Sequence, residues 1–349
     1  MSFIGNFIRI ACVLALFVAL RPSAEAGFEE GRAALIGRDY ATALKEFRTL
    51  AEEGDAAAQL NLGYMFYNGL GVPRDTVEAM TWFHAAARQD YPFAHWLLGV
   101  AHVQGQGVAQ NYAEAAKWLR RAADFGVADA QEFLGHLYES GRGLSQDYDA
   151  ALMWYRKAAE QGDVSTQEHL GDMHYYGIGV PQDSVKAVTW YRMAAEQGDA
   201  SAQELLGDIY YYGRGMTQDH AKAMKWYRIS AERGVPSTQY SLAIMYEKGE
   251  GVPQDYAEAA IWNRKAAERG YILAQKNLAI SYSKGRGTPE DPVAALVWFS
   301  IAAKQGNRDA AKASNRLAQK MSRDQIKEAE ARASEWTPCG RPPANRPCP

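Results

Sequence analysis

The apolar positions of the chain fall into short stripes of helical period, and the stripes themselves recur. From Asp147, the run DYDAALMWYRKAAEQG sets Ala151, Trp154, Tyr155 and Ala158 at offsets of 4, 7, 8 and 11, one face of an amphipathic helix. Asp147 is of the type that caps a helix start by accepting a bond from a first-turn N–H, and Gly162 is placed to end that helix at positive φ. Upstream, Ala130, Gln131, Leu134, Gly135 and Tyr138 form another stripe of the same period. Between the two lies Gly141-Arg142-Gly143, so the pattern predicts two antiparallel helices, A and B, joined at a glycine hinge.

The hinge returns with a fixed step. Gly-x-Gly occurs at 69/71, 105/107, 141/143, 177/179, 213/215, 249/251 and 285/287, a spacing of 36 residues throughout. Trp82, Trp118, Trp154, Trp190, Trp226, Trp262 and Trp298 keep the same beat, and the equivalents of Asp147 are Asp75, Asn111, Asp183, Asp219, Asp255 and Asp291, all N-cap types. A period of this length marks a stack of identical supersecondary units. One helix pair cannot bury both of its faces, so stacking supplies the missing neighbour, and small residues such as Gly135 and Ala158 allow close approach. The fold expected is all-α.

The ends depart from the repeat as caps would. Residues 27–54 hold a shorter pair, with Asp39, Ala43 and Phe47 in the helix-B pattern and Glu46 at the Trp position, as suits a face turned to water. Residues 55–306 hold the seven repeats, and 307–336 a closing pair. There Ser322-x-x-Gln325 reads as a capping box, and Ile326, Ala329, Ala333 and Trp336 form a final stripe.

Residues 1–26 are of another kind: Arg9, an apolar run from Ile10 to Leu20, and Ala24-Glu25-Ala26 in the small-x-small form of a cleavage site. They read as a secretory signal removed before Gly27, since about 11 apolar residues fall short of the roughly 20 that span a bilayer. The expected location is therefore outside the cytoplasm, periplasmic or secreted, with no transmembrane span after cleavage. Cleavage leaves 36 basic and 40 acidic residues, without a basic block, which argues against nucleic acid as a partner. It also leaves only Cys339 and Cys348, in the tail 337–349. In an oxidising compartment the two could pair, closing a small loop; free thiols are the alternative.

Candidate chemistry is sparse. The Gly-x-Gly loops lack the lysine and the preceding strand of a phosphate-binding loop, and seven identical joints point to geometry. No nucleophile motif and no His/Cys zinc spacing is present. Glu132, His136 and Glu139, at offsets 0, 4 and 7, are the best metal-like set, and they read as a solvated or paired helix face. No metal, no cofactor and no catalytic residue is expected.

The frame A-Q-x-x-L-G-x-x-Y-x-x-G-x-G-V, then D-x-x-x-A-x-x-W-Y-x-x-A-A-x-x-G, resembles the Sel-one-like repeat (SLR), a 36-residue relative of the tetratricopeptide repeat. Departures are Asp90 at the terminal glycine, Ala243 and Ala279 at the helix-A glycine, Asn263 after Trp262, and His102 and His174 at the helix-A tyrosine. The resemblance implies a right-handed α-solenoid and a non-catalytic scaffold that binds a protein or peptide along a concave face lined by helix A. Exported members imply an envelope partner, with restraint of a membrane sensor as an alternative. Cysteine-rich members have been associated with penicillin binding or β-lactamase activity, but the repeats here carry no cysteine.

By the same analogy the groove positions begin apolar, with Leu60, Tyr67, Trp96, Val100 and Val103, and become acidic and aromatic in the middle. The partner residues expected there are His136, Glu139, Asp172, Tyr175, Tyr176, Asp208, Tyr211 and Tyr212. Against this, Asp129-x-x-Glu132, Ser165-x-x-Glu168 and Ser201-x-x-Glu204 also fit capping boxes that would turn the glutamates to their own helix ends.

Overall fold

The computed structural model describes residues 22–338; the expected signal segment 1–26 lies outside them up to residue 21, as does the expected pair Cys339 and Cys348. Eighteen helices and no strand occur among the described residues. The first pair is α1 (Pro22–Ile36) and α2 (Tyr40–Glu52). Seven repeat pairs follow: α3 (Ala56–Asn68) with α4 (Thr76–Ala87), α5 (Pro92–Gln104) with α6 (Tyr112–Asp124), α7 (Ala128–Ser140) with α8 (Tyr148–Glu160), and α9 (Val164–Tyr176) with α10 (Ser184–Glu196). Then come α11 (Ala200–Tyr212) with α12 (His220–Glu232), α13 (Pro236–Lys248) with α14 (Tyr256–Glu268), and α15 (Ile272–Lys284) with α16 (Pro292–Lys304). The closing pair is α17 (Arg308–Ala318) and α18 (Arg323–Glu335). The chain forms two compact units, one through Leu170 and one from Gly171, and within each unit successive helices pack on one another as an α-solenoid.

The caps explain where the helices start and stop. Every helix B of the repeats begins at its expected cap: Asp75, Asn111, Asp147, Asp183, Asp219, Asp255 and Asp291 each accept a first-turn N–H. Ser322 and Gln325 close the expected capping box on α18. The three boxes expected at helix A do not form, because those helices start earlier: Asp163 caps α9, Asp199 caps α11, and α7 starts after Val127 without a side-chain cap. Asp129, Ser165 and Ser201 thus lie inside the first turn, and Ser165 instead donates to Glu132 of the preceding repeat at 2.8 Å. The terminal pair also differs from expectation: Glu46 is half-buried, because α1 lays Gly27 and Gly31 against it.

Both glycines of each hinge take positive φ, and the second meets a further constraint. Gly141 ends α7 in the left-handed region, φ 68°. Gly143 does more than reverse the chain. A Cβ there would stand 2.3 Å from the Tyr112 carbonyl carbon, so the loop lies directly on the start of the preceding repeat's helix B. The hinge is also an inter-repeat contact.

A polar staple joins the repeats as well. Gln59, Gln131, Gln167, Gln203, Gln239 and Gln275 each donate, from a buried side chain, to the carbonyl of the alanine eight residues earlier, at the end of the preceding helix B. Such a bond contributes about 1 kcal/mol net, and an unmet buried carbonyl would cost more. His95 holds the equivalent position in the second repeat. It is wholly buried and stacked against Trp118 and Phe125, its Nδ1 has no partner, and its Nε2 only approaches Asp90 at 3.5 Å. Burial pushes its pKa below the ordinary 6.5, against the opposing pull of Asp90.

The linkage sign follows: the unfolded chain takes up the proton first, so stability is full above about pH 6.5 and falls as pH drops toward the folded pKa. His95→Gln restores the staple. It is expected to raise stability at pH 7.5 by about 1 kcal/mol and to flatten the loss between pH 7 and pH 5, read from urea unfolding at each pH. An unchanged pH slope would contradict this assignment.

Candidate functional site

The first repeats do not offer the expected apolar groove. Leu60, Tyr67, Trp96, Val100 and Val103 are all buried, Trp96 to 2% exposure, in one core cluster. Large apolar side chains at facing positions of α3 and α5 cover one another, and the Tyr67 hydroxyl donates across to Gln104 at 3.0 Å. This stretch is core.

The polar positions begin where helix B carries a tyrosine. In the third repeat the Tyr155 ring crosses helix A at Gly135, where a Cβ would meet the ring at 2.5 Å. The buried ring brings its hydroxyl out beside the next residue, His136, 2.7 Å from Nδ1, and donates to Glu139 Oε2 at 2.6 Å. Tyr191 crosses at Gly171 and donates to Asp172 at 2.7 Å; Tyr227 crosses at Gly207 and donates to Asp208 at 2.5 Å. In the other four repeats the helix-B residue is Phe83, Leu119, Asn263 or Phe299, and the residue after the small one is Tyr64, Val100, Ile244 or Ile280. An acid or histidine therefore stands at this position only opposite a tyrosine hydroxyl that needs a partner. Burial, and then the adjacent carboxylates, hold all three phenols well above the ordinary tyrosine pKa.

Around His136 the cluster reaches into the next repeat. His169 on α9 places Nε2 3.0 Å from Glu139 Oε2, and His136 Nε2 lies 3.8 Å from Glu132, a buried glutamate. Loss of water around the inner part of the ring opposes charge on His136, but Glu132 and Glu139 outweigh it and raise its pKa to about 9. His136, 3.6 Å away, and the hydrogen bond from His169 at 3.0 Å hold Glu139 far below the usual carboxylate range. The sequence brings Glu132, His136 and Glu139 onto one helix face by spacing alone. His169 could be found only by adding the stacking offset of 33 residues from His136, and Tyr155 only by knowing which ring crosses at Gly135.

In the second unit the expected tyrosines divide into two kinds. Tyr175 is buried and its hydroxyl accepts from Arg214 of the next repeat at 3.2 Å. Tyr211 is half-buried, donates to Glu250 at 2.6 Å and accepts from Lys248 at 3.2 Å. Both are inter-repeat staples, because their hydroxyls reach across to the following repeat. Tyr176 and Tyr212 stand out instead, 60% and 57% exposed, edge-on at 4.8 Å to the buried Tyr175 and the half-buried Tyr211 respectively. Arg214, the middle residue of a Gly-x-Gly hinge, lies 4.7 Å over the Tyr212 ring. A crevice of about 590 Å³ opens beside it, lined by Tyr175, Gln182, Ser184 and Gly215 among others.

Repeated helix pairs, glycine hinges and an inter-repeat ladder of glutamines define a tetratricopeptide-like α-solenoid. The Sel1 repeat matches residues 56–91, 92–126, 128–163, 165–199, 200–235, 236–271 and 272–307, and the chain belongs to that family. It is similar to a Sel1 repeat protein from Oxalobacter formigenes, at 35% identity and a TM-score of 0.63, over 85% of this chain and 88% of that one. It is also similar to c5321, a protective antigen of uropathogenic Escherichia coli with an SLR fold, at 29% identity and a TM-score of 0.59, over 90% and 84% of the two chains. No curated protein matches the chain. Among the described residues no helix is long and apolar enough to cross a membrane.

The tyrosine-to-acid bond is testable by coupling. Tyr227→Phe is expected to lower stability in urea by about 1–2 kcal/mol, and Asp208→Ala to lower it less in that background than alone. Strict additivity would show that the bond does not hold the two helices.

Proposed function

We propose that the chain is a non-catalytic scaffold that binds a protein or peptide along the face formed by helix A of its central repeats. The observation that carries this reading is the pair Tyr176 and Tyr212. Two large aromatic side chains stand exposed at the same position of successive repeats, each against the ring of the preceding tyrosine. Exposed rings held rigid offer contact area at little entropic cost, which is the character of binding hot spots.

Asp172 and Asp208 add direction. Each is fixed through one oxygen by a buried tyrosine, and an ionised carboxylate retains further acceptor capacity. The chemistry suits an extended segment that presents lysine, arginine or amide donors beside apolar side chains. Membership of the Sel1 repeat family supports an interaction role, and the apolar leader with its Ala24-Glu25-Ala26 site supports an exported scaffold of the bacterial envelope. His136 and Glu139 lie in the other unit and are not part of this segment's site.

The test is in-cell crosslinking and pull-down, comparing the wild-type chain with Tyr176→Ala/Tyr212→Ala and with Asp172→Lys/Asp208→Lys. The tyrosine pair is expected to reduce capture of the specific partner at least tenfold with unchanged thermal unfolding. Charge reversal is expected to weaken it further at low salt. Capture that neither pair of changes alters would overturn the reading, and mass spectrometry of the captured chain starting at Gly27 would test the exported state.

A further inference from the structure

We propose that His136, Glu139 and His169 form a binding site for one divalent transition metal ion of the zinc class. Two imidazoles and one carboxylate are a donor set suited to zinc and its first-row neighbours, and poorly suited to calcium or magnesium. The three side chains each offer a donor atom, and these atoms all lie within 4.8 Å of one another. His136 Nδ1 is 3.6 Å and His169 Nε2 3.0 Å from the same Glu139 oxygen. A tetrahedral ion with bonds of about 2.0–2.1 Å holds its ligands about 3.3 Å apart, so two edges of the tetrahedron are nearly in place.

The surroundings match what such a site needs. Ligating histidines are oriented by a carboxylate on the other ring nitrogen. Glu132 stands 3.8 Å from His136 Nε2, is itself buried, and is held by the Ser165 hydroxyl at 2.8 Å. Tyr155 closes the inner side of the cluster and fixes Glu139 by its hydrogen bond. The outer side is open, since His136 is exposed and Glu139 and His169 are partly so. The ion would enter from solvent, take the place of the Nδ1 proton of His136 and of that nitrogen's 2.7 Å bond to the Tyr155 oxygen, release the proton to water, and leave a fourth position for water. Tyr155 would keep donating to Glu139. Because the ligands come from α7 and α9, the ion would tie two successive repeats. None of this depends on Tyr176 or Tyr212, which belong to the other unit.

The experiment is equilibrium dialysis and calorimetry of the untagged full chain with zinc chloride, with cobalt(II) as a spectroscopic probe. One zinc per chain is expected, with an upward shift in Tm and visible cobalt bands of a low-coordinate site. His136→Gln and His169→Gln should each weaken zinc binding at least tenfold and abolish the Tm shift, and Glu132→Gln should weaken it about tenfold. His220→Gln serves as a control, and circular dichroism of each metal-free variant reports its fold. If the wild type shows no saturable zinc binding, the proposal is wrong. Equal zinc affinity in a folded His136→Gln/His169→Gln double variant would overturn it as well.

Discussion

The close crossing of helix A over helix B at a residue without a Cβ is the constraint on which the rest depends. At Gly135, Gly171 and Gly207 an added Cβ would stand 2.4–2.5 Å from a tyrosine ring, well inside van der Waals contact. The ring fills the space that the missing side chain leaves and carries a hydroxyl through to the far side of helix A. A buried hydroxyl must be met by an acceptor. The residue after each of these glycines is accordingly His136, Asp172 or Asp208, and the charge on the central helix-A face follows from packing inside the repeat.

Much of this was legible in the sequence, and the boundary is instructive. The period gave the helix pairs, the hinges and every helix-B cap, because each depends on contacts within one repeat. The terminal stripe through Ala329 and Ala333 was legible from its own helical period and is buried against α16. The groove residues that differ from expectation are decided between repeats. Trp96 and Val100 were assigned to an open groove, but whether they are covered depends on the neighbouring helix A. Tyr175 and Tyr211 bond to residues 39 positions on, and His169 meets Glu139 from 30 positions away. Such pairs become visible only once the stacking offset is known.

The hinge residue shows the same division. Its glycines are dictated by backbone, both by positive φ and the second also by contact with the previous repeat, while the residue between them varies from repeat to repeat. Where it is arginine it is put to use: Arg142 lies over Tyr112, Arg286 over Tyr256, and Arg214 over Tyr212 while also bonding Tyr175. A fixed frame thus leaves a small set of positions to carry recognition, which is how one repeat serves different partners. In this chain those positions concentrate the polar and aromatic groups in the third, fourth and fifth repeats.

The central claim is that the glycine exists to admit the tyrosine, and a double-mutant cycle measures it. In the sixth repeat the equivalent pair is Ala243 and Asn263, a larger residue opposite a smaller one. Gly207→Ala should therefore lower stability by about 1–3 kcal/mol when Tyr227 is present. With Tyr227→Asn in place, the same change should cost little or gain up to about 1 kcal/mol from helix propensity. The same loss in both backgrounds would contradict the account, since the glycine would then be needed for some reason other than the ring that crosses it.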